Sequence, residues 1–226
     1  MLIKKTLLNP NLAMEKKYTQ IRNEYKLKSL NESDVHPNPF KQFNIWMDEA
    51  ITSAITEPTA MVLATVSKSM QPSARMVLLK EIKPEGFVFY SNYESKKGHQ
   101  IEENHYASLL FYWADLEKQI RIEGRIEKTT EEISDEYYLS RPAKSRIGSW
   151  ASPQSREIPN RKFLEDKQSE YEHKFEGQLP PRPKNWGGYM LFPYTFEFWQ
   201  GRPNRLHDRI EYYYDDDNWK IRRLAP

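Results

Sequence analysis

A mainly β chain with appended helices is the fold class this sequence predicts, and three observations carry it. First, five short β-like runs follow one another after Glu57-Pro58: TAMVLATVS, ARMVLLK, GFVFYSN, YASLLFYW and QIRIEGRIE. Second, the last of them alternates strictly, with Ile120, Ile122, Gly124 and Ile126 on one face and Gln119, Arg121, Glu123 and Arg125 on the other. Third, GGYMLFPYTFEFWQG and LHDRIEYYYDDDNWKIRRL return to strand patterning near the C-terminus, with Asp215 to Asn218 as a hairpin turn. Many strands joined by tight turns favour an antiparallel, Greek-key-like barrel over a parallel βαβ sheet.

The elements follow in chain order. MLIKKTLLNPNLAMEKK is broken by Pro10 and too short in apolar residues for a signal peptide, so residues 1–20 read as a flexible N-terminal arm before a single domain over 21–226. In HPNPFKQFNIWMDEAITSAI, Asn38 is placed to cap and Pro39 fits the first helical position. Phe40, Phe43, Met47, Ala50 and Ala54 then follow three-and-four spacing, which predicts an amphipathic helix. After the five strands, TTEEISDEYYLSRP predicts a second helical region, with Thr129 and Glu132 at capping-box spacing and Pro142 as the breaker. NRKFLEDKQSEYEHKF predicts a third, and the proline-rich QLPPRPKN reads as a connection.

Composition removes several function classes. The 226 residues carry 34 basic and 32 acidic side chains, a formal charge of +2, so no global field draws the chain to nucleic acid or an anionic membrane. Any anion site must be local. With no cysteine there is no disulfide and no thiolate ligand or nucleophile, which is compatible with the cytoplasmic address expected here. No apolar run reaches bilayer length. The five histidines show no metal-ligand pairing, and no metal is expected. Neither a GxSxG elbow, a GxGxxG fingerprint nor a Walker loop occurs.

Four stretches could still carry chemistry. In YSNYESKKGHQIEENHY, Ser95 caps a short helix that opens on Lys96 and Lys97, where cations oppose the helix dipole by a few tenths to roughly 1 kcal/mol. A bound phosphate reverses that sign; two solvated lysines are the plain alternative. ARMVLLK carries Arg75 and Lys80 five apart, which strict alternation sends to opposite faces, so joint action requires a bulge, a curled end or two ligands. Tyr137, Arg141 and Ser145 recur at helical spacing across Pro142 and could grip a phosphate, or simply line a solvated helix surface. WQGRPNRLHDR packs Arg202, Arg205, His207 and Arg209 between two strand-like runs.

These stretches, with FYSN, IGSWASPQS, EFWQG and the terminal WKIRRLAP, occur in the order shown by the pyridoxamine 5′-phosphate oxidase family, which the chain resembles from about Ile21 to Pro226. The resemblance implies an FMN-binding split β-barrel acting as a homodimer, each site drawing on both chains. It implies that FMN is held by Arg75, Met76, Val77, Leu78, Leu79, Lys80, Tyr90, Ser91, Lys96, Lys97, Gln119, Gln154, Ser155, Trp199 and Arg209. It places Lys80, Tyr137, Arg141 and Ser145 at the substrate phosphate, Arg205 and His207 over the pyridine ring as the catalytic pair, and Arg22 and Tyr25 in a covering N-terminal segment. Ser91 stands where threonine is frequent and Lys96 where arginine is frequent; lysine keeps the charge without the bidentate fork. Arg202 receives no role, and solvent is its expected partner.

The implied reaction passes a hydride or its equivalent from C4′ of pyridoxamine or pyridoxine 5′-phosphate to flavin N5. It yields pyridoxal 5′-phosphate, with ammonia from the amine and hydrogen peroxide from dioxygen. The competing readings are a split barrel that binds a flavin or B6 vitamer without turnover, and an arginine-rich nucleic-acid binder. YYLSRP and RLHDR argue against the first; balanced charge argues against the second.

Overall fold

A computed structural model describes Tyr18 and residues 24–226. Among these residues nine strands form one antiparallel sheet: β1 (Ala60–Val66), β2 (Pro72–Leu78), β3 (Glu81–Lys83), β4 (Gly86–Asn92), β5 (Tyr106–Trp113), β6 (Lys118–Lys128), β7 (Trp186–Gln200), β8 (Asp208–Asp215) and β9 (Asn218–Arg223). All five sequence-predicted strands are present, and the two C-terminal runs form β7 to β9. Asp216 and Asp217 both take positive φ in the β8–β9 turn, the geometry a two-residue hairpin demands.

The strand order is β2-β1-β5-β6-β7-β4-β3. The chain closes this order into a barrel by changing partner between adjacent residues. The Leu79 N–H donates to Thr59 O on the β1 side, at 2.9 Å, and the Lys80 N–H to Val88 O on the β4 side, also at 2.9 Å. The barrel is split at β7, whose one edge pairs with β6 while the other divides, Trp186 to Leu191 pairing with β4 and Thr195 to Gln200 with β8.

Alternation decides what faces inward. Leu63, Leu109, Ile122, Phe196 and Tyr212 are register partners across five strands and are fully buried. One residue along, Met76, Val62, Leu110, Arg121, Glu197, Glu211 and Arg222 form the outer row, apolar at the β2 end and charged at the β9 end.

Helix α1 (Pro39–Thr52) plugs the barrel, with Asn38 Oδ1 accepting from the Phe40 and Lys41 amides as its cap. Phe43 meets Phe87 and Phe111 edge to face at 4.9 and 5.1 Å, and Trp46 meets Phe198 at 5.2 Å. Each such pair contributes about 0.5–1.5 kcal/mol beyond its area. Ala54 falls outside the predicted stripe, since the helix ends at Thr52 and Ala54 turns to positive φ.

Helices α2 (Lys96–Glu103), α3 (Glu131–Ser140), α4 (Ala143–Ala151) and α5 (Arg161–Lys174) lie outside the barrel strands in sequence. The α3 cap is Thr130, which accepts from the Ile133 amide, and not Thr129, whose hydroxyl is taken by Ser134. Among the described residues no helix is long and apolar enough to cross a membrane.

Candidate active site

A cavity of about 540 Å³ opens between β2, β4, α3 and the start of α4. It is lined by Arg75, Met76, Val77, Leu78, Lys80, Tyr90, Ser91, Lys97, Tyr137, Arg141, Ser145 and Gln154, twelve of the residues named from sequence, together with Pro142 and Trp186. Four consecutive β2 residues can line one cavity, despite their alternation, because among the described residues β2 pairs only with β1, which leaves its other edge open. The partner change at Leu79 and Lys80 then brings Lys80 to the same space as Arg75, which resolves the five-residue spacing. Leu79 itself is 6% exposed and packs into the core, so only its backbone can serve a ligand.

Charge in this cavity is one-sided. Among the described residues Arg75, Lys80, Lys97 and Arg141 line it, and no Asp or Glu does. Arg75 lies in the inner row opposite Leu63 and donates to Leu63 O at 2.9 Å, Thr65 Oγ1 at 2.7 Å and Gln100 Oε1 at 3.2 Å. Lys97 donates to Ser91 Oγ at 3.1 Å, Ser95 Oγ at 3.2 Å and Gln154 Oε1 at 2.9 Å. Burial, with the nearby Arg75 charge second, pushes the Lys97 ammonium down to about 8. An anion in the cavity opposes both effects, because its charge favours the ammonium form.

The other half of the cavity is built where α3 stops. Arg141 leaves helical geometry at the α3 C-terminus and Pro142 opens α4, whose first turn carries Ser145. The Arg141 guanidinium lies 4.4 Å from the Trp186 ring, and burial lowers its pKa. Its Nη1 is buried with no hydrogen-bond partner among the described residues. Tyr137 stacks on Tyr90 at 3.8 Å, and the Trp186 ring is nearly parallel to both, at 5.6 Å from Tyr90 and 6.3 Å from Tyr137.

A second group of predicted residues gathers elsewhere. Trp199 is the register partner of both Gln119 and Arg209, and its ring lies 4.7 Å from His207. Tyr25 packs edge-on against Trp199 and His207, both at 5.5 Å. His207 Nδ1 accepts from the Arg202 amide at 3.1 Å, which leaves the proton of a neutral ring on Nε2. Burial, then Arg205, lowers the His207 pKa and favours that neutral form. Arg205 is exposed on a turn where it and Asn204 both take positive φ. Tyr25, Gln119, Trp199, Arg205, His207 and Arg209 do not line the cavity of Arg75 and Arg141.

One sequence expectation is corrected, and three further named residues have surroundings of their own. Arg202 is not left to solvent, since it pairs with Asp208 at 3.5 Å and donates to Lys28 O at 3.3 Å. Arg209 is already forked onto the buried Glu197, at 2.8 and 2.9 Å, and bonds Ala225 O at 2.7 Å. Lys96 and Ser155 line an adjoining groove with His99 and Gln100, and not the cavity itself. Arg22 lies outside the described residues.

A family model for pyridoxamine 5′-phosphate oxidase matches residues 47–175, and one for the pyridoxine 5′-phosphate oxidase C-terminal dimerisation region matches residues 186–226. The chain is 56% identical over 207 residues to a pyridoxine/pyridoxamine 5′-phosphate oxidase of Cupriavidus pinatubonensis, covering 91% of this chain and 97% of the relative. The chain belongs to the pyridoxamine 5′-phosphate oxidase family. It is an oxidase by that membership. A second family member, from Burkholderia thailandensis, is 54% identical over 209 residues, 91% of this chain and 97% of that protein. Among solved structures, PhzG of Burkholderia lata, in complex with tetrahydrophenazine-1-carboxylic acid, superposes with a TM-score of 0.83 at 31% identity, over 88% of this chain and 99% of that one. An FMN-binding protein of Nostoc punctiforme related to pyridoxamine 5′-phosphate oxidase shares the fold, with a TM-score of 0.66 at 16% identity, over 84% and 98% of the chains.

Sequence reasoning missed Trp186 and Gln100. Trp186 opens β7 before two glycines, and a large ring beside two residues without side chains is a signal for close stacking. Gln100 follows Lys97 by three and precedes Ile101, placing an amide on the buried stripe of α2.

Proposed function

We propose that this chain oxidises pyridoxamine 5′-phosphate and pyridoxine 5′-phosphate to pyridoxal 5′-phosphate, with FMN as cofactor. The observation that carries the reading is the cavity lined, among the described residues, by four cations and no carboxylate, with Arg141 Nη1 buried and without a partner among them. Such a donor set fits phosphates, and its members fall into two supports: Arg75 and Lys97 on β2 and α2, Arg141 and Ser145 at the α3–α4 junction. The first pair would hold the FMN phosphate, with the β2 residues Met76, Val77 and Leu78 lining the same cavity. The second, with Lys80 and Tyr137, holds the substrate phosphate.

FMN would supply at N5 an acceptor for the hydride equivalent from substrate C4′, with dioxygen, reduced to hydrogen peroxide, as the final electron acceptor. The chain binds, orients and excludes water. The wall of Tyr90, Tyr137 and Trp186 dries one side of the cavity. His207, neutral and held through Nδ1, orients the pyridine ring together with Arg205. Tyr25 covers that group, with Arg22 preceding it in sequence.

Gln119, Trp199, Arg205, His207 and Arg209 lie apart from the cavity, which supports a homodimer in which they complete the site of the other chain. The match to the family's dimerisation region over residues 186–226 supports the same assembly. We take residues 21–226 as one catalytic unit preceded by an arm, working in the cytoplasm.

The test is an absorption spectrum of the purified protein followed by anaerobic addition of pyridoxamine 5′-phosphate. Bleaching of a flavin band, and pyridoxal 5′-phosphate on admitting oxygen, is the expected result. A flavin-loaded protein that makes no pyridoxal 5′-phosphate would sink the reading.

A further inference from the structure

Several arginines of this chain are held by carboxylates. Arg209 is held by Glu197, Arg223 by Glu32 and Asp208, and Arg182 by Asp135. Among the described residues Arg75 touches only neutral oxygens: a carbonyl, a hydroxyl and an amide.

Building on the proposal that the cavity holds the FMN phosphate, we infer that Gln100, acting with Thr65, is the positioning residue that aims Arg75 and leaves its charge uncancelled for that phosphate. A guanidinium can only donate, so Thr65 Oγ1 must accept from Arg75 Nη1, at 2.7 Å. The Thr65 hydroxyl proton must then go elsewhere, and it goes to Gln100 Oε1, at 2.7 Å. The Gln100 oxygen is thereby obliged to face Thr65 and Arg75, and its Nε2 donates outward to Ser73 Oγ at 3.2 Å. The orientation of the amide is set by this directed chain and not by free choice.

Gln100 is 5% exposed and Thr65 3%, so water does not replace these bonds. Gln100 reaches its place because Lys97, Gln100 and Ile101 form the buried stripe of α2, which sets the support of Arg75 and the second deep cation on one helix face. A glutamate at this position has nearly the same shape and length. It would accept from both Thr65 and Arg75, pair with the guanidinium as Glu197 pairs with Arg209, and withdraw that charge from a ligand. The amide supplies the geometry without the neutralisation. Gln100 touches no ligand in this arrangement; it acts through Arg75.

The experiment titrates flavin-free protein with FMN and with riboflavin, following quenching of flavin fluorescence, in wild type, Gln100→Glu, Gln100→Met and Thr65→Val. Gln168→Glu, on the exposed surface of α5, controls for added charge. Wild type binds FMN far more tightly than riboflavin. Gln100→Glu lowers FMN affinity by about ten-fold or more, the scale of one charge-assisted bond, and changes riboflavin affinity by less than about two-fold. Gln100→Met and Thr65→Val lose FMN affinity by a smaller factor, because aim is lost but charge is kept; they carry the test if the glutamate variant fails to fold.

Unchanged FMN affinity in Gln100→Glu, or equal losses for FMN and riboflavin, overturns the inference and leaves the functional reading standing. A wild-type protein that does not discriminate FMN from riboflavin overturns the reading of the cavity itself.

Discussion

Lys97 and Arg141 show how burial readies a side chain for an anion before the anion arrives. Lys97 is held by three neutral oxygens and pushed down to about 8 by burial and by Arg75. Its protonated form is the one a phosphate prefers. The free protein therefore loses that form as pH rises through about 8, while the complex keeps it longer. FMN affinity should fall above pH 8 by up to about ten-fold per pH unit, since one proton is taken up on binding. Riboflavin affinity should stay level, because Arg75 and Arg141 stay charged and burial keeps Tyr90 and Tyr137 protonated in this range. Fluorescence titrations between pH 7 and 10 check this. Arg141 has a buried Nη1 with no partner among the described residues, so Arg141→Ala should raise the KM for pyridoxamine 5′-phosphate about ten-fold or more and leave the flavin bound. An unchanged KM contradicts its placement at the substrate phosphate. His207 accepts an amide proton at Nδ1, which its protonated form cannot do. The acid limb of kcat/KM should lie below pH 6.5, in keeping with the lowered pKa.

Among the elements, the join of β2 to β3 and the start of α2 do the most to assemble the site. The strand-like pattern of ARMVLLK is legible as sequence, but nothing in it shows that the ladder changes partner between Leu79 and Lys80. That change depends on β1 and β4 lying on either side, which is a property of the closed barrel. The α2 start depends on Gly98, where an added Cβ would lie 1.9 Å from the Tyr93 carbonyl oxygen. Gly98→Ala must move either the β4–α2 turn or the helix, and with it Lys97. A loss of about 1–3 kcal/mol in stability, with weakened FMN binding, is the expected outcome of thermal melts and flavin titration. Gly201 plays a comparable part for the N-terminal segment: its missing Cβ is the space taken by the Tyr25 ring, at 2.7 Å. Glu117 secures the same segment by accepting from the Lys26 and Leu27 amides at 2.9 and 3.0 Å.

At the scale of the whole molecule, one outer row joins an apolar end, Met76, Val62 and Leu110, to a charged end around Glu197. Met76 is 60% exposed, and the cavity begins at this same strand. In the proposed homodimer this face is covered by the second chain. Leu110→Asp places a charge in that apolar patch, outside every residue assigned to FMN or substrate. It should give a monomer by size-exclusion chromatography with light scattering and, by separating Gln119, Trp199 and Arg209 from their cavity, release the flavin. A variant that stays dimeric, or a monomer that keeps its flavin, counts against a site shared between chains.

By itself the sequence determined the β-rich class, the α1 and α2 caps at Asn38 and Ser95, the β8–β9 turn, and most cavity residues through ordered local motifs. These are local: a cap, a turn or a strand face is set by residues within a few positions of one another. The tertiary structure alone decided that Arg75 and Lys80 share a cavity, that Arg202 and Arg209 already have carboxylate partners, and that Trp186 lies against Arg141. It also decided that Gln100 supports Arg75 across 25 residues. Each of these joins segments far apart in the chain. Hydrophobic periodicity carries no information about which buried polar group will meet which.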